Sequence, residues 1–227
     1  MPEILQTSLP IAPWMAAHTL RLPGTGPVDL AEWLLRDDTF AAQMVYRDRL
    51  IAERLGDVHA LEPGARPAAD ELLALLLSRL DEGYRREAGS IVRPDGVRVP
   101  LAGDPLIVAG RLVQEDLLIL ERGVGEAEHR LTAGILCFPS NWTLNQKMGM
   151  ALGRIHLPVE VYDEGIARRV QRMFDCLRPE TPLMRANLLL YGDADLHNPR
   201  REFERHRPLP GGARFVRVER QCLVKLP

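Results

Sequence analysis

The stretch 132–159, TAGILCFPSNWTLNQKMGMALGRIHLPV, decides how this chain is read. Its first part is apolar with β-branched residues and stops at Pro139, which predicts a buried strand. Thr143 and Gln146 fit the T-x-x-Q capping box, in which two side chains satisfy free amides at a helix start. Leu144, Met148, Leu152 and His156 then recur every four residues, so one apolar stripe runs down the predicted helix and His156 closes it. Pro158 stops the helix just beyond.

A histidine there has two readings. One is a core imidazole donating to a backbone carbonyl. The other is a proximal ligand, because an imidazole at the end of an apolar helix, with Met148, Leu152 and Ile155 around it, is the setting a haem iron requires. Spacing leaves both open.

Composition narrows the classes. The chain has 227 residues, 46% of them hydrophobic, enough for one substantial core with a smaller helical attachment. A net charge of −2 with both signs interspersed argues against nucleic acid as a partner. No apolar run approaches the roughly 18 residues of a membrane span. The N-terminus MPEILQTSLPIAPWM lacks the basic start and apolar core of a secretion signal, so a cytoplasmic location is expected. Cys137, Cys176 and Cys222 are odd in number and without CxxC spacing, which encodes neither a disulfide framework nor a local zinc or iron–sulfur site. Cys137 reads as a small buried hydrophobe, with a thiolate ligand as its alternative.

Outward from the central stretch, prolines at 2, 10, 13, 23 and 27 predict an extended arm over residues 1–28. Residues 29–90 read as helical: Asp29 caps LAEWLLRDD, a second helix runs to Gly56, and Leu72, Leu73, Leu76, Leu77 and Leu80 mark a third. SIVRPDGVRVPL reads as a hairpin around Pro94-Asp95-Gly96. A helix over 104–114 leads into a strand, EDLLILERG, whose partner is 128–138. Glu115 and Asp116 at that junction read as a solvated corner or an ion pair with an arginine.

Residues 164–179 form another amphipathic helix, RANLLLYGD is a strand, and 193–212 is a polar loop in which His197 and His206 are exposed. In the last strand Phe215, Arg217, Glu219 and Gln221 alternate with Val216, Val218, Arg220 and Cys222, which points Arg220 inward. A buried arginine needs acceptors, either an acid such as Glu115 or the propionate or phosphate of a ligand. The H-E-x-x-H, P-loop, GxSxG and GxGxxG patterns are all missing.

Four stretches carry a resemblance: RLVQEDLLIL (111–120), RLTAGILCFPSNWTLNQKMGMALGRIHLPV (130–159), RRVQRMFDCLRP (168–179) and FVRVERQCLVKLP (215–227). They are similar to the haem-dependent oxidative N-demethylase family, most specifically through Cys137, Phe138, Pro139, Ser140, Trp142, Lys147, Gly149, Leu152, Ile155, His156, Pro158 and Val159. The resemblance implies an α+β fold, a PAS-like curved antiparallel sheet with flanking helices and an N-terminal helical extension. It makes 91–227 a haem-binding core, compact with the helical region.

It implies haem b ligated by His156, with Arg220 and Arg185 as propionate anchors and Met148, Leu152 and Phe138 as pocket wall. The reaction implied is oxygen-dependent demethylation of a small secondary amine, with formaldehyde released. Electrons would come from NADPH through FMN and a [2Fe–2S] centre. This chain has no cysteine quartet or dinucleotide fingerprint, so the reductase is a separate partner, and an oligomer is possible on this reading. A haem-binding gas or redox sensor and a non-catalytic small-molecule module are the alternatives. RANLLL replaces a common R-x-N-W pattern, IHLPVE lacks a second proline, and the end at Pro227 suggests a shortened form.

Overall fold

In the computed structural model of the chain, residues 3–15, 24–158, 163–204 and 212–227 are described. Part of the arm (1–2 and 16–23), Val159 and His206 lie outside the described residues. The described arm contains a single 3-10 turn at Pro13–Met15 and a short strand, β1 (Gly26–Pro27). Asp29 accepts from the amide of Ala31 at 2.8 Å, but the helix it starts is one turn, Leu30–Glu32.

The helical region is built from α1 (Phe40–Glu53), α2 (Leu55–Val58) and α3 (Arg66–Arg79), with a strand β2 (His59–Leu61) between the last two. Then come β3 (Arg85–Glu87), β4 (Ser90–Val92) and β5 (Arg98–Pro100), a small antiparallel sheet. Its β4–β5 turn is the hairpin the sequence predicts, with Gly96 at φ 85°, where a Cβ would be disfavoured. Next, α4 (Pro105–Gly110) starts on Asp104, whose carboxylate accepts from the amides of Leu106 and Ile107 at 2.9 and 3.2 Å.

The second sheet has β7 (Arg130–Ile135) at its centre, antiparallel to both β2 and β6 (Leu117–Glu121). The helical region thus supplies a strand to the sheet it packs on. Leu50, Val58, Leu76, Leu106, Ile119 and Ile135 meet in one core cluster drawn from both regions. Burying each such side chain stabilises the fold by about 1.5–3 kcal/mol. Helix α4 lies so close to β7 that a Cβ on Gly110 would come within 2.7 Å of Ile135.

Where one helix was expected over 144–156, there are two short ones, α5 (Leu144–Lys147) and α6 (Leu152–His156). Between them the backbone turns at Gly149, φ 72°, and pairs with β7: the Gly149 amide donates to the Leu131 carbonyl at 2.8 Å, and that of Leu131 to Met150 at 3.1 Å. Strand pairing has overridden helical propensity here. The expected capping box is also absent, because the Thr143 hydroxyl donates to the Gln146 side chain at 2.9 Å and makes no bond to a backbone amide.

After α7 (Glu164–Cys176), capped by Asp163, the third sheet has the order β1-β8-β9, with β8 (Leu183–Tyr191) and β9 (Phe215–Leu223) antiparallel along their whole length. The facing of β9 differs from expectation. Val216 is 55% exposed, whereas Arg217 and Glu219 form a largely buried ion pair at 3.2 Å. Both faces of the strand meet protein: Arg217 donates to the carbonyls of Leu196 and Phe138, while Val218, Arg220 and Cys222 on the other face are half-buried and Gln221 is exposed. Mixed α and β elements in three antiparallel three-stranded sheets make up the described fold.

Glu115 and Asp116 are not a solvated corner. Asp116 accepts from the fully buried Arg47 at 2.6 Å and from the amides of Cys137 and Phe138 at 2.7 and 2.9 Å. Arg47 also donates to the carbonyls of Gly110 and Gln114. Glu115 accepts from the Leu35 amide at 2.6 Å, and burial raises its pKa against the opposing effect of that bond.

Two outcomes follow from this junction. Asp116→Ala leaves the Arg47 charge and two amides unsatisfied, so it is expected to lower unfolding free energy in urea by about 3–5 kcal/mol. For Glu115 the folded chain holds its proton more tightly than the unfolded chain, whose glutamate titrates near 4.3. Its contribution is therefore intact below that pH and is lost as pH rises through the higher folded value. Glu115→Gln, which keeps the Leu35 bond, should flatten that fall in a series of urea midpoints from acid to neutral pH.

Candidate functional site

His156 is the last residue of α6, and its position depends on two packing contacts of that short helix. Leu152 is buried against Ile166 and Val170 of α7, while Ile155 packs with Met148 and Trp142 on Leu131, Leu136 and Leu144. Nδ1 of His156 lies 2.9 Å from the carbonyl of Leu152. A carbonyl only accepts, so the proton sits on Nδ1 and the lone pair on Nε2. Burial lowers the pKa of the ring, the charges of Arg185 and Lys147 act in the same sense, and the Leu152 carbonyl opposes them. The imidazole is thereby held towards its neutral form.

Both readings of His156 therefore meet in one geometry. The Nδ1 contact with a carbonyl is the feature that the two readings share. Met148 and Leu152 flank the helix but belong to different apolar clusters, one on β7 and one on α7.

The cations near His156 come from three segments. Lys147, at the end of α5, is only 5% exposed and lies 3.3 Å from Glu202, which also receives Arg154 at 2.9 Å. Arg185, on β8, donates to Asn187 at 2.6 Å, and its buried Nε has no hydrogen-bond partner. Burial lowers the pKa of Arg185, with Glu219 opposing. A buried guanidinium nitrogen without a partner leaves one donor open to an acceptor.

Arg220 does not join this group. It pairs in register with Ala186, whereas Arg185 pairs with Gln221, so the two arginines project from opposite faces of the β8–β9 ribbon. Arg220 donates to the carbonyls of Trp33, at 2.9 Å, and Glu32, closing the end of the single turn after Asp29. Phe138 also sits elsewhere, at the edge of the main core: its ring is 5.5 Å from Tyr46, and the Arg47 guanidinium lies 5.4 Å from its centroid.

Cys137 is fully buried, and burial pushes its thiol up to about 11, so it remains protonated at neutral pH and is not poised as a thiolate. His197, expected to be exposed, is half-buried and bonds through Nδ1 to the Cys137 carbonyl at 2.8 Å. That contact and the pairing of Ser140 with Asn198 bring the polar loop onto the central stretch and deliver Glu202 to Lys147. Sequence reasoning missed Glu202, Arg154 and Asn187; only Lys147 carried a signal, as part of the motif around His156.

Among the described residues, no group of three or more His, Cys, Asp or Glu side chains could hold a metal ion. Iron bound at His156 would need most of its donors from a macrocycle. Cavities of about 160 Å³, beside Phe40, Tyr84 and Glu115, and about 90 Å³, beside Val99 and Arg111, lie away from His156. Both are smaller than the roughly 300–1,000 Å³ of a site for a drug-sized ligand. Among the described residues no helix is long and apolar enough to cross a membrane.

A comparison with curated proteins found no match. Residues 24–227 match the family described as haem-dependent oxidative N-demethylase, alpha subunit-like, a description that names a haem-dependent oxidoreductase and one subunit of a larger enzyme. The match takes in the central stretch, both short helices and the β8–β9 ribbon, so the chain belongs to the haem-dependent oxidative N-demethylase, alpha subunit-like, family.

Proposed function

We propose that this chain binds haem b through Nε2 of His156 and takes part in the oxidative N-demethylation of a small secondary amine. What supports the reading is an imidazole whose Nδ1 donates to the Leu152 carbonyl, within the electrostatic reach of Arg185, whose buried Nε has no hydrogen-bond partner. The residues present fit the group: a neutral imidazole for the iron and a guanidinium for a propionate. On this reading residues 91–227 form a PAS-like haem-binding core in one unit with the helical region.

Haem bound there would supply the oxygen chemistry that oxidises the N-methyl group to formaldehyde. The chain's own residues do the rest. His156 ligates, and the Leu152 carbonyl fixes the plane and tautomer of its ring. Arg185 receives a carboxylate, while Lys147 adds positive charge at the same place. Glu202 fixes Lys147 and Arg154 and so ties the polar loop to α6. Met148 and Leu152 hold α6 from two sides and keep water from the base of the site. Arg220 and Phe138 support the site through the arm and the main core. Electrons come from a separate reductase, from NADPH through FMN and a [2Fe–2S] centre, in keeping with the alpha-subunit description.

A second reading, a haem-binding gas or redox sensor, is favoured by the charges. Lys147, Arg154 and Arg185 cluster near His156, while both oxygens of Glu202 are engaged and Glu219 is paired with Arg217. A neutral gas meets no penalty there, whereas an ammonium ion does.

Visible spectra of protein supplied with haem separate these readings. Wild type should show a Soret band that is lost or shifted in His156→Ala, and titrated dimethylamine should perturb it. An amine-indifferent band would favour the sensor. Absence of a band in both proteins would overturn both readings.

A further inference from the structure

The carboxyl of Glu115 is only half used. Oε1 accepts from the Leu35 amide at 2.6 Å, but Oε2 is buried and has no hydrogen-bond partner among the described residues. A buried polar atom left in that state costs free energy until something pairs with it. Burial raises the pKa of the group and outweighs the opposing effects of the Leu35 amide, Arg47 and Arg220. Those two arginines are committed elsewhere, Arg47 to Asp116 and Arg220 to the carbonyls of 32 and 33, so the carboxyl lacks a counter-charge of its own.

Glu115 also lines the cavity of about 160 Å³ between the turn at 31–36, the start of α1 and the end of α3. Leu34, Leu35, Leu80 and Val113 contribute aliphatic surface to it, and the Phe40 and Tyr84 rings meet edge to face with centroids 6.2 Å apart. Other polar groups of the lining are already satisfied. The Tyr84 hydroxyl donates to the Leu112 carbonyl at 2.7 Å, and the Gln114 side chain exchanges hydrogen bonds with Asp37. On the exposed side Arg36 is forked onto Asp81 at 2.9 and 3.2 Å, and Arg79 lies in water, where its charge is screened. An apolar cavity of about 150 Å³ accepts benzene, so this one has room for about five or six non-hydrogen atoms. A guest that matches the lining has a small apolar body, a donor for Oε2 and a positive charge to balance the carboxylate; aromatic walls favour the same charge.

We propose that this cavity is a binding site for a small primary or secondary alkylammonium ion, held by an N–H donated to Oε2 of Glu115 and by apolar contact with the Phe40 and Tyr84 walls. The lining shares no residue with the surroundings of His156, so the site goes beyond the haem reading and needs no haem. It gives the chain a place for an amine away from the cations Lys147, Arg154 and Arg185.

The test uses the isotope-labelled full chain without haem, with the amide of Leu35, which donates to Glu115, as the reporter in proton–nitrogen spectra. The probes are pyrrolidinium and tetrahydrofuran, rings of equal size that differ in a cationic nitrogen with two hydrogens against an ether oxygen. Pyrrolidinium should shift the Leu35 amide saturably, with a dissociation constant of about 1 mM for so small a ligand, and bind about tenfold more tightly than tetrahydrofuran. Glu115→Gln keeps an acceptor for Leu35 but loses the charge, and should weaken pyrrolidinium about tenfold. Leu34→Phe fills the space while leaving Glu115 in place, and should abolish binding of both probes. The remaining amide shifts report whether each variant keeps the fold, and the two probes on wild type decide by themselves if a variant does not. Equal affinity for the two probes, wild-type affinity in Glu115→Gln, or no saturable shift of the Leu35 amide would overturn the site. His156→Ala should bind pyrrolidinium as wild type does, so a failure of the haem ligand and a failure of this site are read separately.

Discussion

The rest of the structure depends on the carboxylate of Asp116. It binds the buried guanidinium of Arg47 and, at the same time, the amides of Cys137 and Phe138 where β7 ends. A charge in the interior is tolerated only when its lone pairs and protons are matched. Arg47 comes from α1, Asp116 from the entry to β6, and the amides from the exit of β7, so one matched set fixes three segments together. The register of the central sheet and the direction in which the chain leaves it are set at the same point. Nearby, Arg93 spans Asp48 and Asp95 and donates to the Arg111 carbonyl, which ties α1 to the small sheet by the same principle.

From that anchor the chain passes through Ser140 and Asn141, which hold the Tyr191 hydroxyl, and into α5 and α6. The site is thus built at a seam. One wall is the short-helix segment pinned to β7, another is α7, and a third is the β8–β9 ribbon with Arg185. Because α5 and α6 are each only about one turn long, helical hydrogen bonding contributes little to placing His156. Its position comes from side chains packed on both flanks of α6 and from backbone bonds of 148–152 to the edge of β7.

Among the described residues, three cations meet at the same seam. Two basic side chains share Glu202, and a third, Arg185, has a buried nitrogen without a partner. The same charges also help to keep His156 unprotonated.

The sequence by itself determined the elements with strong local signals: the leucine-rich α3, the Pro-Asp-Gly hairpin, the amphipathic α7, the β6–β7 pairing, and the family through the residues around His156. These are local because period, cap and turn chemistry act over a few residues. Only the tertiary structure decided that 144–156 breaks into two turns, since the β7 edge offered Gly149 and Met150 partners that no periodicity reveals. It also decided the facing of β9: alternation defines two faces, but what each one meets depends on what packs there, and here the carbonyls of Leu196 and Phe138 drew Arg217 inward. For the same reason Arg220 went to the carbonyls of 32 and 33, on the face opposite Arg185. Glu202, distant in sequence from His156, reached the site through the polar loop, a long-range placement that no local pattern encodes.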